Sequence, residues 1–176
     1  KFKDRYDEIG KDGGKIISIH MTGGMSGTVD SARQAAQMTE SDVTVIDSRY
    51  IAWALAFQVR EAVVLRDKGA TVEEIVARLD EVRKNTRLFV VLDTLENMVK
   101  GGRIGRGKAM FGSLLNLKPV GNLDTGEFNP CAKPRSHKQV VKYLFEQFTN
   151  DTAGKTVKAI GLSHVLALET MGQPLL

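Results

Sequence analysis

Residues Lys15–Met38 read KIISIHMTGGMSGTVDSARQAAQM, and the rest of the chain is organised around this stretch. Ile16, Ile17 and Ile19 form a compact β-branched run suited to a sheet interior. Gly23, Gly24 and Gly27 follow, the residues a backbone uses to turn sharply and approach something closely. Ser26 and Thr28 stand where a helix begins, each a candidate cap. Val29, Ala32, Ala35, Ala36 and Met38 then supply an inward stripe. Strand, glycine turn and helix make a candidate anion site, because a helix start carries free N–H groups and partial positive charge. A phosphate and a carboxylate satisfy that chemistry equally, and a tight turn with no ligand is the plainer reading.

Outward from this unit, Val43–Ile46 is a second apolar strand, with Asp47 and Ser48 at the end where α/β proteins place ligands. Asp47 is somewhat better suited to start the next helix. That helix is expected over Tyr50–Lys68, with Ala52, Leu55, Ala56, Val59, Val63 and Leu65 apolar and Gly69 closing it. Thr71 and Glu74 form a capping-box pattern before the stripe Ile75, Val76, Leu79 and Val82. Leu88–Leu92 is a third strand candidate, and a short helix with Leu95, Met98 and Val99 stops at Gly101-Gly102. Leu117–Leu123 and Glu127–Lys133 flank Asp124-Thr125-Gly126, a hairpin signal. A helix over His137–Phe148 would bury Val140, Val141, Leu144, Phe145 and Phe148, and Val157–Ser163 is the last strand candidate. The expected fold class is α/β: a layered sheet with covering helices, then an α+β second domain with a hairpin. The boundary falls near Asn85–Arg87, giving domains 1–86 and 87–176.

The 176 residues carry a net charge of only +4, too mild to demand nucleic acid. The basic cluster Arg103–Lys108 holds no aromatic residue for stacking on bases. Cys131 is the single cysteine, which excludes an internal disulfide and suits a reducing, cytoplasmic setting. No apolar run approaches the roughly 20 residues of a membrane span, so stable membrane insertion is not expected. Gly102–Ala109 matches G-x-x-x-x-G-K, but Ala109 stands where a P-loop needs Ser or Thr for magnesium. His20, His137 and His164 show no metal-ligand spacing, and Gly24-Met25-Ser26-Gly27 is one residue short of a nucleophile elbow. Lys133-Pro134-Arg135 with Lys138 is a second basic group.

Thr22-Gly23-Gly24-Met25-Ser26-Gly27-Thr28 after IISIH resembles the S-S-x-L-S-G-T motif of the DegV family. The resemblance continues through Val45-Ile46-Asp47-Ser48, Asp93-Thr94-Leu95 and Gly101-Gly102-Arg103-Ile104. It extends over Gly112–Val120 (GSLLNLKPV), the Asp124-x-Gly126 turn and Lys133-x-Arg135. It implies a two-domain protein that holds one long-chain fatty acid between its domains and needs no cofactor. The carboxylate would sit at Thr22, Gly23, Gly24, Ser26, Gly27 and Thr28, and the acyl channel would include Ile104, Phe111, Leu114 and Leu115. In family members that serve fatty acid kinases, a separate ATP-binding subunit phosphorylates the presented carboxylate, so this chain would be non-catalytic, with Arg103 and Arg135 facing the partner. Gly23 departs from the motif by replacing its second serine, and the family's segments on either side of this stretch are expected to be missing here. The competing reading is an α/β enzyme that holds a phosphate ester or phosphosugar at the same turn. Met110, Phe111, Leu114, Leu115 and Leu117 crowd one region and favour the lipid over that alternative.

Overall fold

A computed structural model of the chain describes residues 1–105 and 117–176. They form two compact units, Lys1–Thr86 and Arg87–Leu176. The fold is mixed α/β, with one parallel and one antiparallel sheet.

In the first unit, α1 (Phe2–Gly10), β1 (Ile16–His20), α2 (Thr28–Ala36), β2 (Val43–Asp47), α3 (Ala52–Asp67) and α4 (Val72–Lys84) follow in order. β1 and β2 pair in parallel from Ile16 opposite Val43 to His20 opposite Asp47, so both strands end together at the glycine turn. The two faces of this sheet carry different clusters, as the two-residue period of a strand requires. Ile46 joins Ala62 of α3 and Ile75 and Leu79 of α4, with Ile17 and Ile19 against them. On the other side Tyr6, Ile16 and Ala35 pack together, with Phe2 and Val43 alongside. Helix α1 is not anticipated from the polar Lys1–Lys15 segment, because its inward stripe rests on two aromatics, Phe2 and Tyr6.

Helix ends follow local chemistry closely. Thr71 Oγ1 accepts the Glu74 N–H at 3.2 Å while the Glu74 carboxylate accepts the Thr71 N–H at 2.8 Å, completing the capping box. At the end of α3, Gly69 takes φ +80°, its N–H reaches Arg66 O and that of Ala70 reaches Leu65 O. This is a Schellman closure, the left-handed position being one that glycine adopts without a Cβ penalty.

Helix faces follow it less well. The buried side of α3 is Ala54, Gln58 and Ala62, whereas Val59 and Val63 are exposed. The helix is apolar on nearly every side, so periodicity does not select a face. Small Ala54 and Ala62, with Gln58 hydrogen-bonded to Ser48 O, let the helix approach closely. Met38 after α2, and Phe145 and Phe148 of the helix His137–Thr152, are likewise exposed rather than inward.

The second unit contains β3 (Phe89–Val91), α5 (Glu96–Lys100), β4 (Val120–Asn122), β5 (Asn129–Ala132) and α6 (His137–Thr152). A π-helical turn (Leu168–Gly172) and the short α7 (Gln173–Leu175) follow. The sheet runs β3-β4-β5, antiparallel throughout, with Gly126 at φ +84° in the hairpin. Phe128 packs against Gly121, where a Cβ would come within 2.3 Å of its ring. Val157–Ser163 is not a strand; it runs irregularly, with Val157, Ile160 and Leu162 exposed, because no strand of the described residues pairs with it. Among the described residues no helix is long and apolar enough to cross a membrane.

Candidate functional site

The turn between β1 and α2 is built largely from its own hydrogen bonds. Thr22 is buried, and its N–H donates to Tyr50 O at 3.0 Å. Its hydroxyl accepts the Gly24 N–H at 3.2 Å, and its carbonyl accepts the N–H groups of Met25 and Ser26. The carboxylate of Asp47 takes the Gly23 N–H at 3.1 Å and the Arg49 N–H at 2.8 Å. Asp47 therefore does not start a helix: it ends β2, and α3 begins at Ala52.

None of Gly23, Gly24 and Gly27 has positive φ, so backbone freedom is not what the turn requires of them. Gly23 is needed for space. A Cβ there would stand 3.0 Å from Asp47 Oδ2 and 3.1 Å from Val29 Cγ1. Gly27 has open space around it and holds the cap position of α2, where no side chain caps the helix. The Ser26 hydroxyl lies one residue too early for that role; it accepts the Thr28 N–H at 3.3 Å and pairs with the Thr28 hydroxyl at 2.7 Å.

Two consequences follow for an anion. The N–H groups of Gly23 and Gly24 are committed within the protein. Those of Gly27, Val29 and Asp30, at the opening of α2, have no acceptor among the described residues. The Ser26–Thr28 pair shares two hydroxyl protons across one hydrogen bond, which leaves one proton for a ligand. Open amides and a hydroxyl proton at a helix start are the donor set that a carboxylate or phosphate takes up.

Beneath the turn lies a buried polar layer. Ser48 Oγ accepts the Tyr50 N–H at 3.2 Å, and Gln58 Nε2 donates to Ser48 O at 3.0 Å. Tyr50 reaches Thr86 O through its hydroxyl, and Arg83 donates to Asp47 O. Beside the turn, Tyr6 Oη, Ser18 Oγ and His20 Nε2 form a row at 2.8 and 2.7 Å, with Phe2 edge-on to the imidazole at 5.1 Å. Burial lowers the pKa of His20, and the nearby Asp47 charge partly opposes that. Sequence patterns single out neither Asp47 as the turn's brace nor the Tyr6–Ser18–His20 row. The shared end point of two parallel strands is the signal that pairs His20 with Asp47.

The other expected site residues belong to the second unit. Ile104 is buried with Leu95 and Phe128 in its core. The Arg103 guanidinium donates to Gly101 O. Arg135 is exposed, and its guanidinium meets no acceptor among the described residues. Phe111, Leu114 and Leu115, like Lys108 and Met110, lie outside the described residues. No cluster of metal-ligating side chains occurs among the described residues.

Comparison with known proteins places these features in a lineage. The profile of the DegV family, described as uncharacterised proteins, matches residues 1–173. A DegV domain-containing protein of Staphylococcus aureus is 39% identical over 169 residues, covering 96% of this chain and 61% of that protein. A solved DegV family protein from Thermus thermophilus, described by its fatty acid binding, superposes with a TM-score of 0.80 at 32% identity. That match covers 87% of this chain and 55% of that one. A DegV family protein from Eubacterium eligens, loaded with heptadecanoic acid, gives a TM-score of 0.71 at 26% identity, covering 85% and 56%. The chain thus spans about three-fifths of the curated relative's length. With the family profile running almost from end to end and the fold shared with solved members, the chain belongs to the DegV family.

Proposed function

We propose that this chain binds a long-chain fatty acid with its carboxylate at the Thr22–Thr28 turn. The observation that carries the reading is the donor set at the start of α2: open amides of Gly27, Val29 and Asp30 beside the Ser26–Thr28 hydroxyl pair. Family members described as binding fatty acids support the ligand class. Thr22, Gly23 and Gly24 build the turn, while Ser26, Gly27 and Thr28 present donors. In this reading the acyl chain runs along Ile104, Phe111, Leu114 and Leu115. The chain itself is a carrier, and an ATP-binding fatty acid kinase subunit phosphorylates the carboxylate it presents. Arg103 and Arg135 meet that partner.

The test is a binding titration with heptadecanoate, together with mass spectrometry of lipid extracted from the purified protein. The double variant Ser26→Ala/Thr28→Val removes the hydroxyl hydrogen bond to a charged group, about 1.5–3 kcal/mol, so affinity should fall roughly tenfold to a hundredfold. Undiminished affinity in Ser26→Ala/Thr28→Val would place the carboxylate elsewhere. Binding of a phosphosugar in place of any fatty acid would favour the enzyme alternative.

A further inference from the structure

The donor set described above stands beside a fixed negative charge. Asp47 closes on Gly23 N–H, so an anion at the turn meets a like charge close by. His20 and Asp47 are register partners at the ends of two parallel strands, and their side chains share one face of the sheet. The imidazole is half-buried and clamped, with Nε2 on Ser18 and the ring edge-on to Phe2. Its Nδ1 has no hydrogen-bond partner among the described residues.

The row from Tyr6 can serve both protonation states of the ring without moving a heavy atom. With His20 neutral, Tyr6 donates to Ser18, Ser18 donates to Nε2, and the ring proton is on Nδ1. With His20 protonated, the hydroxyls rotate: Nε2–H donates to Ser18 and Ser18 donates to the Tyr6 oxygen. The row keeps two hydrogen bonds in both states, so the cost of charging the ring is its burial and the freed Tyr6 hydroxyl proton.

We propose that His20 is the proton-bearing partner of the anion held at the Thr22–Thr28 turn, positioned by Ser18 and Tyr6, so that binding a carboxylate takes up a proton at this ring. The inference rests on the carboxylate reading of the turn and adds a residue to it. The groups that face His20 are Asp47 from β2, Ser18 on its own strand, and Tyr6 and Phe2 from α1; of these Asp47 carries the charge. In the free protein burial favours the neutral ring. A carboxylate added beside Asp47 favours the charged one. The bound state then holds its proton to higher pH than the free state does. Affinity is high below the free-state titration, falls as pH rises between the two titrations, and levels off above the bound-state one.

The experiment is an NMR titration of the imidazole C–H signals of His20, His137 and His164, from about pH 5 to pH 8.5, with and without saturating heptadecanoate. The signals are assigned through the backbone, so no variant is required. Heptadecanoate should raise the His20 midpoint by about half a unit or more, which corresponds to roughly a threefold or greater change in affinity across the window. The His137 and His164 midpoints should stay in place. In His20→Gln the pH dependence of heptadecanoate affinity between about pH 5.5 and 8 should vanish, and Ser18→Ala should reduce it. Heptadecanoate that binds without moving the His20 midpoint would overturn this inference and leave the carboxylate reading intact. Failure of heptadecanoate to bind at all would overturn both.

Discussion

At Gly23 a single hydrogen atom in place of a methyl group decides how the turn is braced. The carboxylate of Asp47 takes the Gly23 N–H where a Cβ would stand 3.0 Å from Asp47 Oδ2 and 3.1 Å from Val29 Cγ1, so a side chain there requires these neighbours to give way. Gly23→Ser should displace Asp47 or shift α2, costing about 1 kcal/mol of stability in chemical denaturation. Stability equal to that of the parent, with Asp47 still on residue 23, would show that the space is not limiting. The same scale separates residues that look alike in the sequence. Ser26 and Thr28 are each suited to cap a helix, yet Gly27 takes the cap position, and the two hydroxyls instead face one another.

Elements inherit this mixture of local and distant causes. Helix α4 begins where its own residues dictate, since both hydrogen bonds of the Thr71–Glu74 box are short-range and complete. Thr71→Ala should lower the melting temperature through a loss of about 1 kcal/mol, while Thr71→Ser should retain most of it; equal losses in the two variants would mean that the Thr71 hydroxyl is not what matters. Helix α3 also ends where glycine permits a Schellman closure. Its inward face is another matter. Val59 and Val63 lie outside and Gln58 inside, because Gln58 ties α3 to the strand end at Ser48 and the alanines permit close packing. In α1 the opposite holds: the segment is polar in composition, but Tyr6 and Phe2 find a partner surface in Ile16 and Ala35. Val157–Ser163 has the composition of a strand but joins neither sheet among the described residues, and composition without a ladder does not make a strand.

Across the whole molecule, the family assignment and the separate units bear on partners. Arg135 stands exposed without an acceptor among the described residues, and Arg103 is held at the Gly101 carbonyl after α5. If these guanidinium groups meet a kinase subunit, Arg103→Ala and Arg135→Ala should leave heptadecanoate affinity nearly unchanged and slow its phosphorylation. The deficit should shrink with added salt, because exposed charges are screened within about 8–10 Å at physiological ionic strength. Parental turnover in both variants at low salt would place docking elsewhere. The α/β class, the strand–glycine–helix unit, the hairpin at Asp124–Gly126 and the capping box are legible from residue order, since each rests on periodicity, turn chemistry or contacts within a few positions. The motif order from Thr22 to Arg135 likewise points to the family that the profile match establishes. Tertiary structure alone decided which face of α3 is buried, that α1 exists, and that Val157–Ser163 is irregular rather than a strand. It also brought Asp47 onto Gly23, and Tyr6 onto Ser18. The Tyr6–Ser18 and Asp47–Gly23 contacts join residues 12 and 24 positions apart, and the second depends on two strands ending in register, which no local pattern encodes.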